Sequence, residues 1–325
     1  MNSTTDIGQL QHGAVWVDSG RQLVVATGAD RSRFLHGIVT ADVAGTTVGR
    51  GCRSALLTPK GHVVADMHLF MTADAIWIVV DAGHAVTVAD MLSRYAIMDD
   101  FAAAPHADFA LASLLGPESV ARLQAIGVDA GALAGAPTLA HAQAGELWLA
   151  RVRELGSDGF WLGGSTAALA AARARLAEAG VSALAPAVAE AARIAAVEPR
   201  VGAEITQDYF PMEVGLSSAI AYGKGCYLGQ EPIVRIRDRG HINWRLVGLD
   251  VAGAEDPTAQ DRIESDAKPK AGRVTSAGRL PDGRGVALAM LHTSVPVGAT
   301  VRIQHGDARI DAQVRAEVVP AEAPR

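Results

Sequence analysis

Eight consecutive residues, Lys224-Gly225-Cys226-Tyr227-Leu228-Gly229-Gln230-Glu231, place one of only two cysteines on a glycine-flanked turn beside a cation. Gly225 and Gly229 permit unusual backbone angles and close approach of a ligand to the main chain, and Lys224 can favour a thiolate at Cys226. A tight turn around an inert, buried thiol accounts for the same residues. Downstream, Arg235, Arg237 and Arg239 recur at period two with Val234 and Ile236 between them. That is the pattern of a strand with one cationic face, able to hold a polyanion or a carboxylate tail, or simply to face solvent. Gly223-x-Gly225-x-x-x-Gly229 misses dinucleotide-binding spacing by one residue, and Gly215-Leu-Ser217-Ser-Ala219 misses the nucleophile elbow at its last position.

Further candidates are single groups in suggestive surroundings. Asp99 and Asp100 adjoin Tyr95 and Phe101, where carboxylates could accept hydrogen bonds from a heterocycle stacked on an aromatic ring, or form an ordinary acidic turn. Glu213 lies among apolar neighbours in Phe210-Pro211-Met212-Glu213-Val214, so if buried it needs an ion pair or a ligand. The ten histidines show no metal-ligand spacing, and neither Cys-x-x-Cys nor His-Glu-x-x-His occurs, so the spacing gives no self-contained zinc or iron–sulfur site and leaves open only a cluster shared between chains.

These residues need elements to hold them. A chain of 325 residues exceeds one core and predicts two or three packed units, for which an apolar fraction of 49% is ample. A net charge of −6 gives no global reason to bind nucleic acid or an anionic membrane. Met1 to Gln11 carries no basic residue and no long apolar run, and no apolar stretch reaches spanning length. A cytoplasmic protein with two free thiols is expected.

Periodicity and caps predict strands at Val15–Val17 and Gln22–Thr27, and a helix from about Asp30, as N-cap, to Ile38. Strands Val63–Met71 and Ile76–Val80 and helices over His84–Tyr95 and Glu118–Ile126 follow. Strands at Leu147–Val152 and Phe160–Leu162 then precede a helix from about Thr166 to Ala179 capped by Ser165, and another runs from Ala187 to about Val197. Laying Ile76–Leu92 over Phe160–Leu176 superposes Trp77 on Trp161 and Leu92 on Leu176, a hint of two related lobes or a coincidence. After Gly240, short strands at Leu246–Val251, Gly272–Ser276, Val286–Leu291 and Thr300–Ile303 predict a small all-β unit, with Ala252–Lys270 as a solvated loop.

The octapeptide, with Arg193-Ile194-Ala195-Ala196-Val197-Glu198-Pro199-Arg200 and Pro211-x-Glu213 before it, resembles the YgfZ family of folate-binding proteins. Phe34-Leu35-His36-Gly37 with Thr40-x-Asp42, and the Pro59-Lys60-Gly61-His62 turn, extend the resemblance over nearly the whole chain. It implies an α+β protein, a three-domain ring of the GcvT-like type found in the T-protein of the glycine cleavage system. Residues 1–240 would form a folate-binding body of two α+β lobes, one of them discontinuous, and 241–325 a C-terminal antiparallel β-barrel.

The same resemblance implies tetrahydrofolate or a derivative as cofactor, no stable metal, and iron–sulfur client or assembly proteins as partners. The role implied is support of cluster enzymes, including tRNA-modifying ones, without direct nucleic-acid contact and without a membrane. Cys226 is then the functional cysteine, with Lys224, Tyr227 and Gln230 as its motif neighbours. Arg235 and Arg245 suit the anionic folate tail, and Asp99, Asp100, Tyr209 and Glu213 the rest of the pocket. T-proteins carry Arg-x-Glu-Ala-Gly, with the glutamate facing the folate, where this chain has Ala195. The departure counts against tetrahydrofolate-dependent aminomethyl transfer or demethylation. That activity is the alternative, beside a non-enzymatic, folate-stabilised scaffold.

Overall fold

Alternating residues in Val63–Met71 decide how the first lobe packs. In a computed structural model, which describes residues 3–317, the chain enters through α1 (Ser3–His12) and β1 (Val15–Asp18). It continues through β2 (Gln22–Thr27), α2 (Arg31–Ile38), β3 (Gly51–Leu57), β4 (Val63–Met71), β5 (Ile76–Val80), α3 (Ala85–Tyr95) and β6 (Ala102–Pro105). These strands form one sheet in the order β3-β4-β5-β2-β6. Met67, Leu69 and Met71 of β4 join Ile76 and Ile78 of β5 under Leu35 of α2 and Val88 and Leu92 of α3. Asp66, His68 and Phe70, at the intervening positions, therefore face the other way.

What they face is a second lobe of like topology. It comprises β7 (Ala110–Leu115), α4 (Ser119–Ala125), α5 (Gly131–Ala134), β8 (His141–Ala144), β9 (Leu147–Glu154), β10 (Ser157–Gly164), α6 (Thr166–Glu178) and β11 (Ser182–Ala183). The sheet order is β11-β1-β7-β10-β9-β8, so β1 crosses into this lobe. The run β8-β9-β10-β7 repeats β3-β4-β5-β2, and the Trp77 and Trp161 segments fall on the equivalent strands β5 and β10. Phe70 packs edge-on against Trp148 at 4.7 Å and Trp161 at 6.1 Å. With Leu23, Val79 and Val152 these rings fuse the two sheets into one apolar layer. Ser165 caps α6 through the Ala168 N–H at 3.2 Å. Asp30 stands at the N-cap of α2 as expected, but its carboxylate accepts the Asp100 N–H at 2.9 Å and pairs with Arg33 rather than bonding the helix's first N–H groups.

Beyond α7 (Pro186–Ala195), a 3-10 turn (Ser217–Ala219) and α8 (Gln230–Arg239) lead to the barrel. Its strands are β12 (Trp244–Val251), β13 (Arg262–Glu264), β14 (Gly272–Arg279), β15 (Gly285–His292), β16 (Thr300–His305) and β17 (Ala308–Glu317), closed in the order β12-β15-β14-β13-β16-β17. The architecture is the expected α+β one, two lobes with a closed antiparallel barrel. Residues 1–2 and 318–325, the outer ends of the two expected spans, lie outside the described residues.

Two local expectations are corrected. The segment bearing Arg235, Arg237 and Arg239 is helical, not a strand. Pro232 in the first turn needs no N–H partner, and Glu231 near the start with Arg237 and Arg239 near the end complement the helix dipole. On a helix, period two turns Arg237 away from the face shared by Arg235 and Arg239. The stretch Ala252–Lys270 is not merely a solvated loop, because β13 within it pairs with β14 and β16 and completes the barrel.

Arg193 bolts α7 to that barrel. Its guanidinium donates to Glu204 at 3.0 Å, to Ser276 of β14 at 2.9 Å and to Glu190 at 2.8 Å, with Glu204 wholly buried. Among the described residues no helix is long and apolar enough to cross a membrane.

Candidate functional site

The apolar layer between the sheets gives way at one end to a cleft lined by charges. Asp66 and His68 enter from β4, Arg53 from β3, Arg21 from the start of β2 and Asp81 from the end of β5. Glu154 and Trp161 face them from β9 and β10, and Glu198 enters from beyond α7. The cleft holds about 120 Å³ and adjoins a cavity of about 370 Å³, the two sharing Arg21, Asp81, Glu154, Glu198 and Pro199. Together they fall in the range of small-molecule sites, and Arg153, Arg173 and Arg200 stand on their walls.

Most of these charges are already engaged. Arg53 grips Asp66 in a two-pronged pair, with contacts of 2.9 and 2.5 Å. Glu154 accepts from Arg21 at 2.6 Å, from the Ser113 hydroxyl at 2.5 Å and from the Trp161 indole at 3.1 Å. Burial works to raise both carboxyls, but Arg53 and Arg21 overcome it and hold Asp66 and Glu154 below the ordinary carboxylate range. Burial lowers His68 to about 3, so its imidazole, edge-on to Trp161 at 4.9 Å, is neutral.

Glu198 differs. Its carboxylate accepts the backbone N–H groups of Leu155 at 2.9 Å and Gly156 at 3.1 Å, the tip of the β9–β10 hairpin. Burial, then the nearby charge of Glu154, pushes it up to about 7. Its mount is unusual at both ends. Helix α7 closes through Val197 N–H to Ile194 and Glu198 N–H to Arg193, a motif whose left-handed position normally holds glycine. Here that position is Val197, at φ 57°, and the hairpin residue that Glu198 grips, Leu155, has φ 53°. Two non-glycine residues in this region, one of them β-branched, flank a single carboxylate.

The octapeptide forms a separate feature. Gly229, at φ 77°, opens α8, and a Cβ there would stand 2.3 Å from the Thr58 carbonyl, so the loop docks on the Thr58–Gly61 turn only with glycine. Lys224 gives its ammonium to the carbonyls of His36, Val39 and Ala41 at the end of α2, at 2.5, 2.7 and 2.7 Å. Tyr227 is buried in the core joining body and barrel, and its N–H donates to the Gln230 side chain at 3.3 Å. Cys226 is exposed on this frame. Cys52 lies against the first lobe's core, and burial pushes its thiol up to about 11.

The remaining sequence candidates are dispersed. Arg235 is exposed on α8, and Arg245 of β12 donates to the Val295 carbonyl at 2.6 Å. Asp99 pairs with Arg33 at 2.6 Å, and Asp100 accepts the Ala29 N–H at 3.0 Å in a surface turn. Glu213 is buried, accepting the N–H groups of Phe210 at 3.0 Å and Trp244 at 3.4 Å, and Tyr209 packs beside it in the same core. None of these six lines the cleft between the lobes. Of the residues that do, Arg193, Glu198, Pro199 and Arg200 belong to the stretch that carries the family resemblance, and Asp66 and His68 are marked in the sequence by their alternation with Met67, Leu69 and Met71.

A family profile described as the GCVT N-terminal domain matches residues 14–224. The chain belongs to that family. The matched span of the GCVT N-terminal domain takes in both sheets and Glu198, and ends just before Cys226. An aminomethyltransferase of Rubrobacter xylanophilus is 28% identical over 302 residues, 91% of this chain and 79% of that protein. A protein of Arabidopsis thaliana, provisionally described as a chloroplastic transferase, is 26% identical over 291 residues, 87% of this chain, which spans 66% of the relative's length. The tRNA-modifying protein YgfZ of Aliivibrio fischeri is 33% identical over 113 residues, 33% of this chain and 35% of that one. The glycine cleavage system aminomethyltransferase T from Bartonella henselae superposes with a TM-score of 0.87 over 97% of this chain and 88% of that one. At 21% identity, that likeness speaks for the fold alone.

Proposed function

We propose that the chain binds a reduced folate in the cleft between the lobes and serves iron–sulfur enzymes or their assembly, with Cys226 as the working thiol. The cleft chemistry suits such a ligand. Glu198 can take up the hydrogen-bond donors of a pterin edge, and Arg153, Arg173 and Arg200 suit an anionic tail better than Arg235 or Arg245, which line neither cavity. When bound, the folate would supply one-carbon chemistry. The observation that carries the accessory reading is the contrast between Asp66, Glu154 and Lys224, all satisfied internally, and Cys226, exposed on a glycine-bounded loop.

Calorimetry with tetrahydrofolate tests the cleft, and Glu198→Ala should weaken binding by about 10- to 100-fold, the loss of one or two hydrogen bonds to a charged group. Unchanged affinity removes Glu198 from the site. Complementation of a strain lacking its own YgfZ-type protein tests the thiol. Normal cluster-enzyme activity with Cys226→Ala would eliminate it from the role.

One observation favours a second reading, folate-dependent aminomethyl transfer. Glu198, raised to about 7, is a carboxyl able to accept or give a proton near neutrality, where Asp66 and Glu154 are not. Purified protein with tetrahydrofolate and an aminomethyl-loaded carrier should then release methylenetetrahydrofolate. Turnover at background would exclude it.

A further inference from the structure

A groove of about 750 Å³ is lined by Tyr209 of the body and by Trp244 and Met290 of the barrel. Arg262, Lys270 and Arg273 line it, against the single acid Glu264. It shares no lining residue with the cleft between the lobes.

Its cations are placed at a cost. Arg262 and Arg273 stand directly opposite each other across the β13–β14 pair, an arrangement in which like charges destabilise a sheet. Arg273 lies over the Tyr209 ring at 5.6 Å, donates to the Tyr209 side chain and has one exposed ion pair, with Asp208 at 3.4 Å. Among the described residues Arg262 and Lys270 have neither an ion pair nor a side-chain hydrogen bond, and both are exposed. In a chain of net charge −6, three cations converge on one groove with nothing internal to neutralise two of them. An anion between Arg262 and Arg273 would remove the repulsion and gain charge-assisted hydrogen bonds from both. Trp244, half-buried, adds a flat face on which a ring can stack, and Arg273, held over the buried Tyr209 ring, contributes a cation at its edge.

We infer that this groove binds a free nucleoside 5′-phosphate, the phosphate held by Arg262, Arg273 and Lys270 and the base packed against Trp244. The site is independent of the folate reading.

Calorimetric titration of the full chain with AMP, adenosine and inorganic phosphate tests this. AMP is expected to bind at least about tenfold more tightly than either half, since each half forfeits one class of contact worth more than about 1.4 kcal/mol. Arg262→Ala, at an exposed residue without partners, should weaken AMP at least about tenfold while leaving the melting temperature of the free protein unchanged or slightly raised. A purely structural arginine would do the reverse. Trp244→Leu should weaken AMP and adenosine but not phosphate.

Phosphate binding as well as AMP, or AMP binding indifferent to Arg262→Ala, overturns the proposal. So does displacement of AMP by tetrahydrofolate with the same Arg262 dependence, which would make the groove a folate-tail site. Short single-stranded RNA binding more than about tenfold tighter than AMP would replace the free nucleotide with a nucleic-acid strand.

Discussion

Replacing Glu198 with glutamine should remove a loss of stability that grows as pH rises through neutrality. A carboxyl raised from its ordinary 4.5 to about 7 on folding keeps its proton in the folded chain over a range where the unfolded chain has lost it. The folded state then binds more protons than the unfolded state, so this group's contribution to stability falls as pH rises through that window. Below about pH 4.5 both states are protonated and the group costs nothing. Above about pH 7 the full displacement costs on the order of 3 kcal/mol, at about 1.4 kcal/mol per unit.

Between about pH 5 and pH 8 the same relation gives a change of about 2.5 kcal/mol, or about 4 °C in melting temperature for a chain this long if unfolding is cooperative. Glutamine has no such proton, and its single carbonyl oxygen still accepts in place of one of the two carboxylate oxygens, a loss that does not vary with pH. Thermal melts of both proteins across that range should show the variant gaining about 4 °C on the parent at the alkaline end. Parallel pH profiles would refute the reasoning, and with it Glu198 as a proton carrier near neutrality. Saturating tetrahydrofolate should flatten the parent's profile if its donors bond the ionised carboxylate.

Removing one member of the buried pair, by Arg193→Ala or Glu204→Ala, strands a charge and should cost about 3–5 kcal/mol, about 4–7 °C in a melt, whereas the double replacement should recover part of the loss. Gly229→Ala meets both the Thr58 carbonyl and a left-handed backbone, so a loss of at least about 1–2 kcal/mol by urea unfolding is expected, with faster proteolytic nicking of the 224–229 loop. One thiol per native chain should react rapidly with a disulfide reagent; Cys226→Ser should abolish that fast phase and move the melt by no more than about 0.5 kcal/mol. Rapid reaction of the second thiol in native protein would contradict the half-buried setting of Cys52, raised to about 11.

Local pattern carried most of the fold. Strands such as Gln22–Thr27, Val63–Met71 and Ile76–Val80 have the predicted bounds because a sheet buried on a face writes its period into the chain. Even the faint Trp77 and Trp161 correspondence proves to be a repeated strand order. The arginine segment failed because period two cannot distinguish a strand face from polar positions scattered around a short, capped helix.

The cleft is hidden from the sequence for another reason. Asp66 and His68 alternate with Met67 and Leu69 as the solvent side of a half-buried strand does, and nothing local says that a second sheet lies there. Arg21, Arg53, Glu154 and Glu198 come from four separate parts of the sequence, and only tertiary packing brings their charges together. The octapeptide was conspicuous because its glycines and lysine serve local geometry, which sequence records well.

Glu198 shows how a missing carboxylate and a strained backbone belong together. The related pattern has its glutamate at the position of Ala195 and its glycine at the position of Val197. Here Ala195 packs on the core joining body and barrel, and the carboxylate that reaches the cleft arrives three residues later, just past the left-handed turn at Val197. That turn and the one at Leu155 each cost about 1–3 kcal/mol. The hydrogen bonds that Glu198 accepts from Leu155 and Gly156 are strongest when it is ionised, yet burial and Glu154 favour its protonated form. A ligand that brought donors to Glu198 would favour its ionised form and so strengthen the bonds it accepts from the hairpin. Ligand binding at this carboxylate and its protonation would then be linked, and Arg193 near the end of α7 ties the same segment to the barrel.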